Sequence, residues 1–112
     1  MAIEDVLARN LAQYRRWGDK AYDADDLNTA VTLYYKALVA ISDMIIYRKT
    51  GLVPSNHTER FRLMRREYPE LYEVLDRDFA HYRDSYHLEI RREVVEVVRA
   101  DVERFVGIVH IS

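Results

Sequence analysis

At 112 residues the chain is long enough to bury one core without disulfide or metal staples, and 49% hydrophobic with 32% charged residues excludes a disordered polymer. A formal net charge of −2 excludes a global basic field, so any nucleic-acid surface must come from local charge placement. There is no cysteine, which removes disulfides and thiolate metal sites.

The acidic start, MAIEDVLARN, lacks the basic and apolar regions of a signal peptide, and no uninterrupted apolar run approaches a membrane span. A cytoplasmic protein without membrane contact is the expectation. The first helix is expected over about Ala2 to Tyr22, with Ile3, Val6, Leu7, Leu11, Tyr14 and Trp17 on one stripe. Glu4 and Asp5 suit its positive end. Gly18 interrupts the pattern at a cost of about 1 kcal/mol against alanine. Asp23 to Asp26 is a short polar hinge in which Asp25 or Asp26 can cap the next helix, and so short a connection makes the two helices antiparallel.

Asp26 to Arg48 is the stretch against which the rest must pack. Leu27, Ala30, Val31, Tyr34, Ala37, Leu38, Ile41, Met44 and Ile45 advance by three or four, the period of an amphipathic helix. Leu33, Tyr35, Val39, Ala40, Ile46 and Tyr47 add apolar surface on the other sides, so this helix should touch neighbours nearly all round. It ends near Lys49, where Gly51 suits a left-handed cap and Pro54 stops any continuation.

Asn56 with Glu59 three residues on forms a capping box for a third helix over about His57 to Tyr68. Pro69 opens a fourth helix that carries Leu71, Leu75, Phe79, Tyr82 and Tyr86 on one face. The valines of the last segment, about Leu88 to Ile108, permit a strand on propensity alone. Helical spacing of Val94, Val98, Val102, Phe105 and Val109 decides for helix, with Arg92–Glu96 and Arg99–Glu103 paired four apart on an outer face. The expected fold is all-α: one domain, 1–112, an up-and-down bundle of four to five helices. Tyr14, Trp17, Gly18, Ala30, Tyr34 and Ala37 match the offsets of one tetratricopeptide unit. The position thirty-four residues after Gly18 is Leu52 in a loop, so the repeat is not continued.

Two charge clusters carry the candidate chemistry. Arg60, Arg62, Arg65 and Arg66, with Arg48, Lys49 and His57 nearby, make the third helix locally basic, and the arginine fork suits phosphate or carboxylate. That face reads either as a docking surface for RNA or an acidic partner, or as a solvated face paired with Glu59, Glu67, Glu70 and Glu73. The second cluster is RDFAHYRDSYHLEIRR, Arg77 to Arg92. On a helix Arg83 and His87 share a face. A histidine that moves a proton at neutral pH beside an arginine that holds phosphate charge is what metal-free RNA cleavage requires. Tyr82 and Tyr86 offer rings for unpaired bases. The plainer reading puts both tyrosines in the core stripe and Arg83 and His87 on a polar edge.

Asp78, His81 and Asp84 offer only pairs of metal ligands with none from the first two helices, so no metal and no cofactor are expected. Ser85 lacks an oxyanion donor and an orienting acid.

The long first helix, the Tyr-Tyr-bearing second helix (AVTLYYKAL), the PSNH loop and the later Arg–His segment together resemble HEPN-like proteins, small helical bundles of archaea and bacteria. The resemblance spans about Leu7 to Val106 and implies a homodimer, in many members paired with a small nucleotidyltransferase as a toxin–antitoxin couple. It implies an RNA- or nucleotide-binding protein and, in active members, a metal-independent RNase using an arginine followed by a histidine. Carried over, Arg83 is the motif arginine, His87 its histidine and Asp84 the intervening polar residue. Here three residues separate Arg83 from His87 where the family has four to six, and the polar residue is acidic. The alternative class is a non-catalytic helical module that binds a protein partner.

Overall fold

The computed structural model describes residues 2–111. It contains five helices: α1 (Ile3–Asp23), α2 (Leu27–Thr50), α3 (His57–Glu67), α4 (Pro69–Asp84) and α5 (Arg92–Ile111). Among the described residues there is no strand, so periodicity overrides the β-propensity of the valines. Helix α2 has 24 residues, about 36 Å at 1.5 Å per residue, and so runs nearly the whole 38 Å length of the molecule. It packs against α1, α3, α4 and α5, as its all-round apolar surface requires. By length and hydropathy α2 also passes as a membrane span, but 72% of that window is buried by the other helices, the pattern of a core helix.

The pairings fix the direction of each helix. Tyr34 hydrogen-bonds Asp19 while Arg48 meets Glu4, so α1 runs antiparallel to α2. Tyr35 stacks on Tyr82 and Asn28 reaches Ser85, so α4 is antiparallel too. Asn28 also bonds Ile90 while Arg48 reaches Val109, so α5 is parallel to α2. The result is an up-and-down bundle of α1, α2, α4 and α5, with the short α3 set between the second and third members.

The helix ends follow their local chemistry. Asp26 caps α2 through Thr29 N–H at 3.4 Å, and Gly51 closes it at φ 75° in the left-handed region. Asn56 caps α3 through Glu59 N–H at 2.9 Å. The capping box is half made, because the Glu59 carboxylate instead accepts from Ser55 Oγ at 3.1 Å.

Two expectations about the faces are corrected. Trp17 is 48% exposed, with Arg16 and Lys20 over its ring at 5.0 and 4.8 Å. The buried seam of α1 runs Leu7, Leu11, Gly18, and position 17 is turned about 100° from 18. The second correction concerns α5. Among the described residues its charges do not pair along the helix but reach α1 and the hinge after it: Arg92 binds Asp25 of the hinge, Glu96 accepts from Tyr22 and Glu103 binds Arg15. Arg92 and Arg99 both lie over the Tyr22 ring. The face read as an outer one is a seam of long side chains along α1 and the hinge that follows it.

Candidate functional site

The Arg83–His87 pair does not share a helical face. Helix α4 stops at Asp84, and Ser85 to His87 form a turn whose amides bond back to His81, Tyr82, Arg83 and Asp84. Arg83 lies over the Phe79 ring at 5.6 Å, while His87 faces the Tyr86 ring at 6.5 Å. Both are exposed, and no hydrogen bond or ion pair joins them. The stop comes from another helix. The Asn28 amide of α2 donates to Ser85 O at 3.0 Å and Leu88 O at 2.8 Å, and its carbonyl accepts from Ile90 N at 2.9 Å. One side chain thus satisfies three backbone groups of the α4–α5 connection. Tyr86, expected on the helical stripe, lies in the turn and is 67% exposed.

The tyrosines and arginines do converge. A chain of rings runs from Tyr72 through Phe61 (5.8 Å) and Phe79 (5.6 Å) to Tyr82 (6.3 Å) and Tyr86 (5.6 Å). The Tyr82 and Tyr86 hydroxyls are hydrogen-bonded at 2.8 Å. Arg65 lies over Tyr72 at 5.5 Å and Arg83 over Phe79, so the strip carries cations on its rings. Of the α3 arginines only Arg66 pairs with a neighbouring acid, Glu67. Arg62 and Arg65 are exposed and make no ion pair among the described residues, so of the acids named as partners for this face only Glu67 is seen paired there.

Arg60 belongs elsewhere. It turns inward and holds Asp43 with two hydrogen bonds of 2.6 and 2.9 Å, both side chains largely buried. Asp43 is the one acid between Leu27 and Thr50. Burial raises its carboxyl pKa and the bidentate guanidinium opposes that rise.

This pair forms one wall of a cleft of about 520 Å³ between α1, α2 and the α3–α4 side. Tyr35 and Lys36 line it from α2, Tyr14 and Asn10 from α1, and His57 and Phe79 from the far side. The His57 ring packs between Phe61 and Phe79, each at 4.2 Å. Its burial lowers the imidazole pKa, with Arg60 acting the same way and Asp76 opposing. The ring is therefore neutral at physiological pH. Tyr35 is 4% exposed and stacks on Tyr82 at 4.9 Å, and its hydroxyl has no hydrogen-bond partner. Burial chiefly pushes its pKa far up.

Asp78 of α4 is fully buried; Arg77 bonds both to it and to Asp101 of α5, and the second Asp78 carboxyl oxygen has no hydrogen-bond partner among the described residues. Burial first, then Asp101, raises the Asp78 carboxyl to about 8, with Arg77 opposing.

Sequence reasoning missed Tyr35, Lys36, Asp43 and His57 as site residues. The signal for Asp43 was present: a lone carboxylate in the apolar central helix demands a partner. Among the described residues no group of three His, Asp or Glu side chains gathers as a metal centre would. Comparisons with protein-family models, with curated proteins and with solved structures return no match to this chain.

Proposed function

We propose that the chain is an RNA- or nucleotide-binding protein of the HEPN-like kind that takes up unpaired bases on the aromatic strip of α3 and α4. The observation that carries this reading is the run of rings from Tyr72 to Tyr86 with Arg65 and Arg83 over it. Successive rings offer stacking faces to bases of any identity, and adjacent unpaired arginines hold the phosphates between them. Base–aromatic stacking is worth about 1–3 kcal/mol per base, so two engaged rings give useful affinity without sequence readout.

A metal-independent RNase step is the stronger form of the proposal. His87 would move the proton of the ribose 2′-OH and Arg83 would hold the developing phosphate charge. Because no hydrogen bond or ion pair joins the two within one chain, this step rests on a homodimer that brings Arg83 of one protomer to His87 of the other across a twofold axis.

Fluorescence polarisation with a short unstructured RNA tests the binding. Tyr86→Ala, at an exposed position, is expected to cost about 1–3 kcal/mol of affinity, and Arg65→Glu to weaken binding further. Unchanged affinity in both variants overturns the strip. Incubation of the same RNA with EDTA present tests the RNase step: cleavage that survives His87→Ala overturns the role of that histidine.

A further inference from the structure

The cleft between α1, α2 and α4 has a chemistry different from the arginine strip, and its use does not depend on RNA binding. Its volume of about 520 Å³ falls inside the roughly 300–1,000 Å³ of small-molecule sites. Its walls are mainly rings and aliphatic side chains: Tyr14 on one side, Tyr35 and Phe79 on the other, Val39 and Ala40 between. Three features set it apart from a packing fault. Tyr35 holds an unpartnered hydroxyl inside an otherwise satisfied wall, and a buried polar group without a partner costs about 1–3 kcal/mol. Asp43 and Arg60 are locked together by two hydrogen bonds, so they cancel each other's charge and stiffen one side. Lys36, exposed at the rim and in no ion pair among the described residues, is left as an uncompensated cation there.

A second hollow of about 510 Å³ lies near the other end of the bundle, but Arg15 and Arg48 there already bind Glu103 and Glu4. It has neither a free cation nor an unpartnered buried polar group.

We propose that the first cleft is a binding site for a small planar aromatic monocarboxylate. The ring lies among Tyr14, Tyr35 and Phe79, and the carboxylate meets Lys36 at the rim, with the Asn10 amide available for a second hydrogen bond. Flat apolar walls select a planar ring. One free ammonium selects a single negative charge. A nucleoside monophosphate carries close to two, and Arg60, already held by Asp43, is not free to meet the excess.

Isothermal titration calorimetry on the intact chain decides this, with benzoate, indole-3-carboxylate and 2-naphthoate as probes. Each is set beside its neutral primary amide and beside uridine monophosphate. At least one acid is expected to bind one-to-one with Kd below about 1 mM. Its amide should bind about tenfold more weakly, and Lys36→Gln should weaken the acid by about the same factor while leaving the amide unchanged. Lys36 is exposed, so the variant folds, and an unchanged circular dichroism spectrum verifies that. The proposal is overturned if no acid binds saturably, if amide and acid bind alike, if Lys36→Gln leaves the acid unaffected, or if uridine monophosphate displaces every acid at a lower concentration. The RNA test uses Tyr86 and Arg65, which do not line the cleft, while Phe79 and Tyr82 belong to both features.

Discussion

Single residues settle two questions that helix patterns leave open. Asp78 is a buried carboxyl whose pKa is raised to about 8, chiefly by burial. The folded state keeps a proton that the unfolded chain, with an ordinary carboxyl near pH 4, has lost. Stability from this group is therefore full below about pH 4 and drains away as pH rises towards 8. Asp78→Asn keeps the size and shape of the side chain and removes the titration. Urea unfolding across that range should show a flatter profile for the variant and a gain over the parent at neutral pH. An equally steep decline in the variant would place the titration elsewhere.

Gly18 shows the opposite kind of constraint. A Cβ there would lie 2.8 Å from the Tyr34 ring. Tyr34 is buried and tied to Asp19 through its hydroxyl, so the ring cannot swing clear. Gly18→Ala gains about 1 kcal/mol of helix propensity but overpacks the α1–α2 contact, which typically costs about 1–3 kcal/mol. A net fall in thermal midpoint is the expected outcome, although alanine is the better helix former. Tyr34→Phe in the same background, which frees the ring, should recover part of the loss.

At the scale of the elements, most boundaries follow from local chemistry and one does not. The five helices, the Asp26 and Asn56 caps and the left-handed Gly51 are legible in the sequence because each is decided by residues within a few positions. The end of α4 is not. Neither glycine nor proline marks Asp84, and the residues beyond it continue a helical pattern. The helix stops because Asn28, on a different helix, captures Ser85 O, Leu88 O and Ile90 N. A long-range hydrogen bond leaves no local signature, so Arg83 and His87 looked like neighbours on one face.

Asn28→Ala should therefore loosen this connection selectively. Losing three bonds, two of them to half-buried backbone, costs about 1–3 kcal/mol. Hydrogen exchange should speed up at Ile90 and across the turn, while α1 keeps its protection. Uniform loss of protection over the whole chain would mean that Asn28 serves global stability alone.

Over the whole molecule, the central helix α2 is what the sequence states most clearly, and it organises everything else without forming the site alone. It sets Tyr35, Lys36 and Asp43 on one side, where α3 and α4 complete the cleft. The charge total of −2 hides how the charges are disposed. Acids of α1 and α5 are taken up by Arg15, Arg48 and Arg92, Asp43 neutralises Arg60 and Glu67 meets Arg66. Arg62, Arg65 and Arg83, exposed and in no ion pair among the described residues as Arg9, Arg16, Arg91 and Arg104 also are, lie beside the ring strip.

Three phosphate contacts to a single strand release counterions with a log–log salt slope of roughly −0.7 each, so RNA affinity should fall with a slope of about −2. Arg65→Glu removes one contact and should flatten the slope by somewhat less than one unit. Tyr86→Ala, which removes a ring and no charge, should weaken binding and leave the slope as it is. Affinity that does not respond to salt would mean that these arginines hold no phosphate, and the protein would then belong to the class of helical modules that bind another protein.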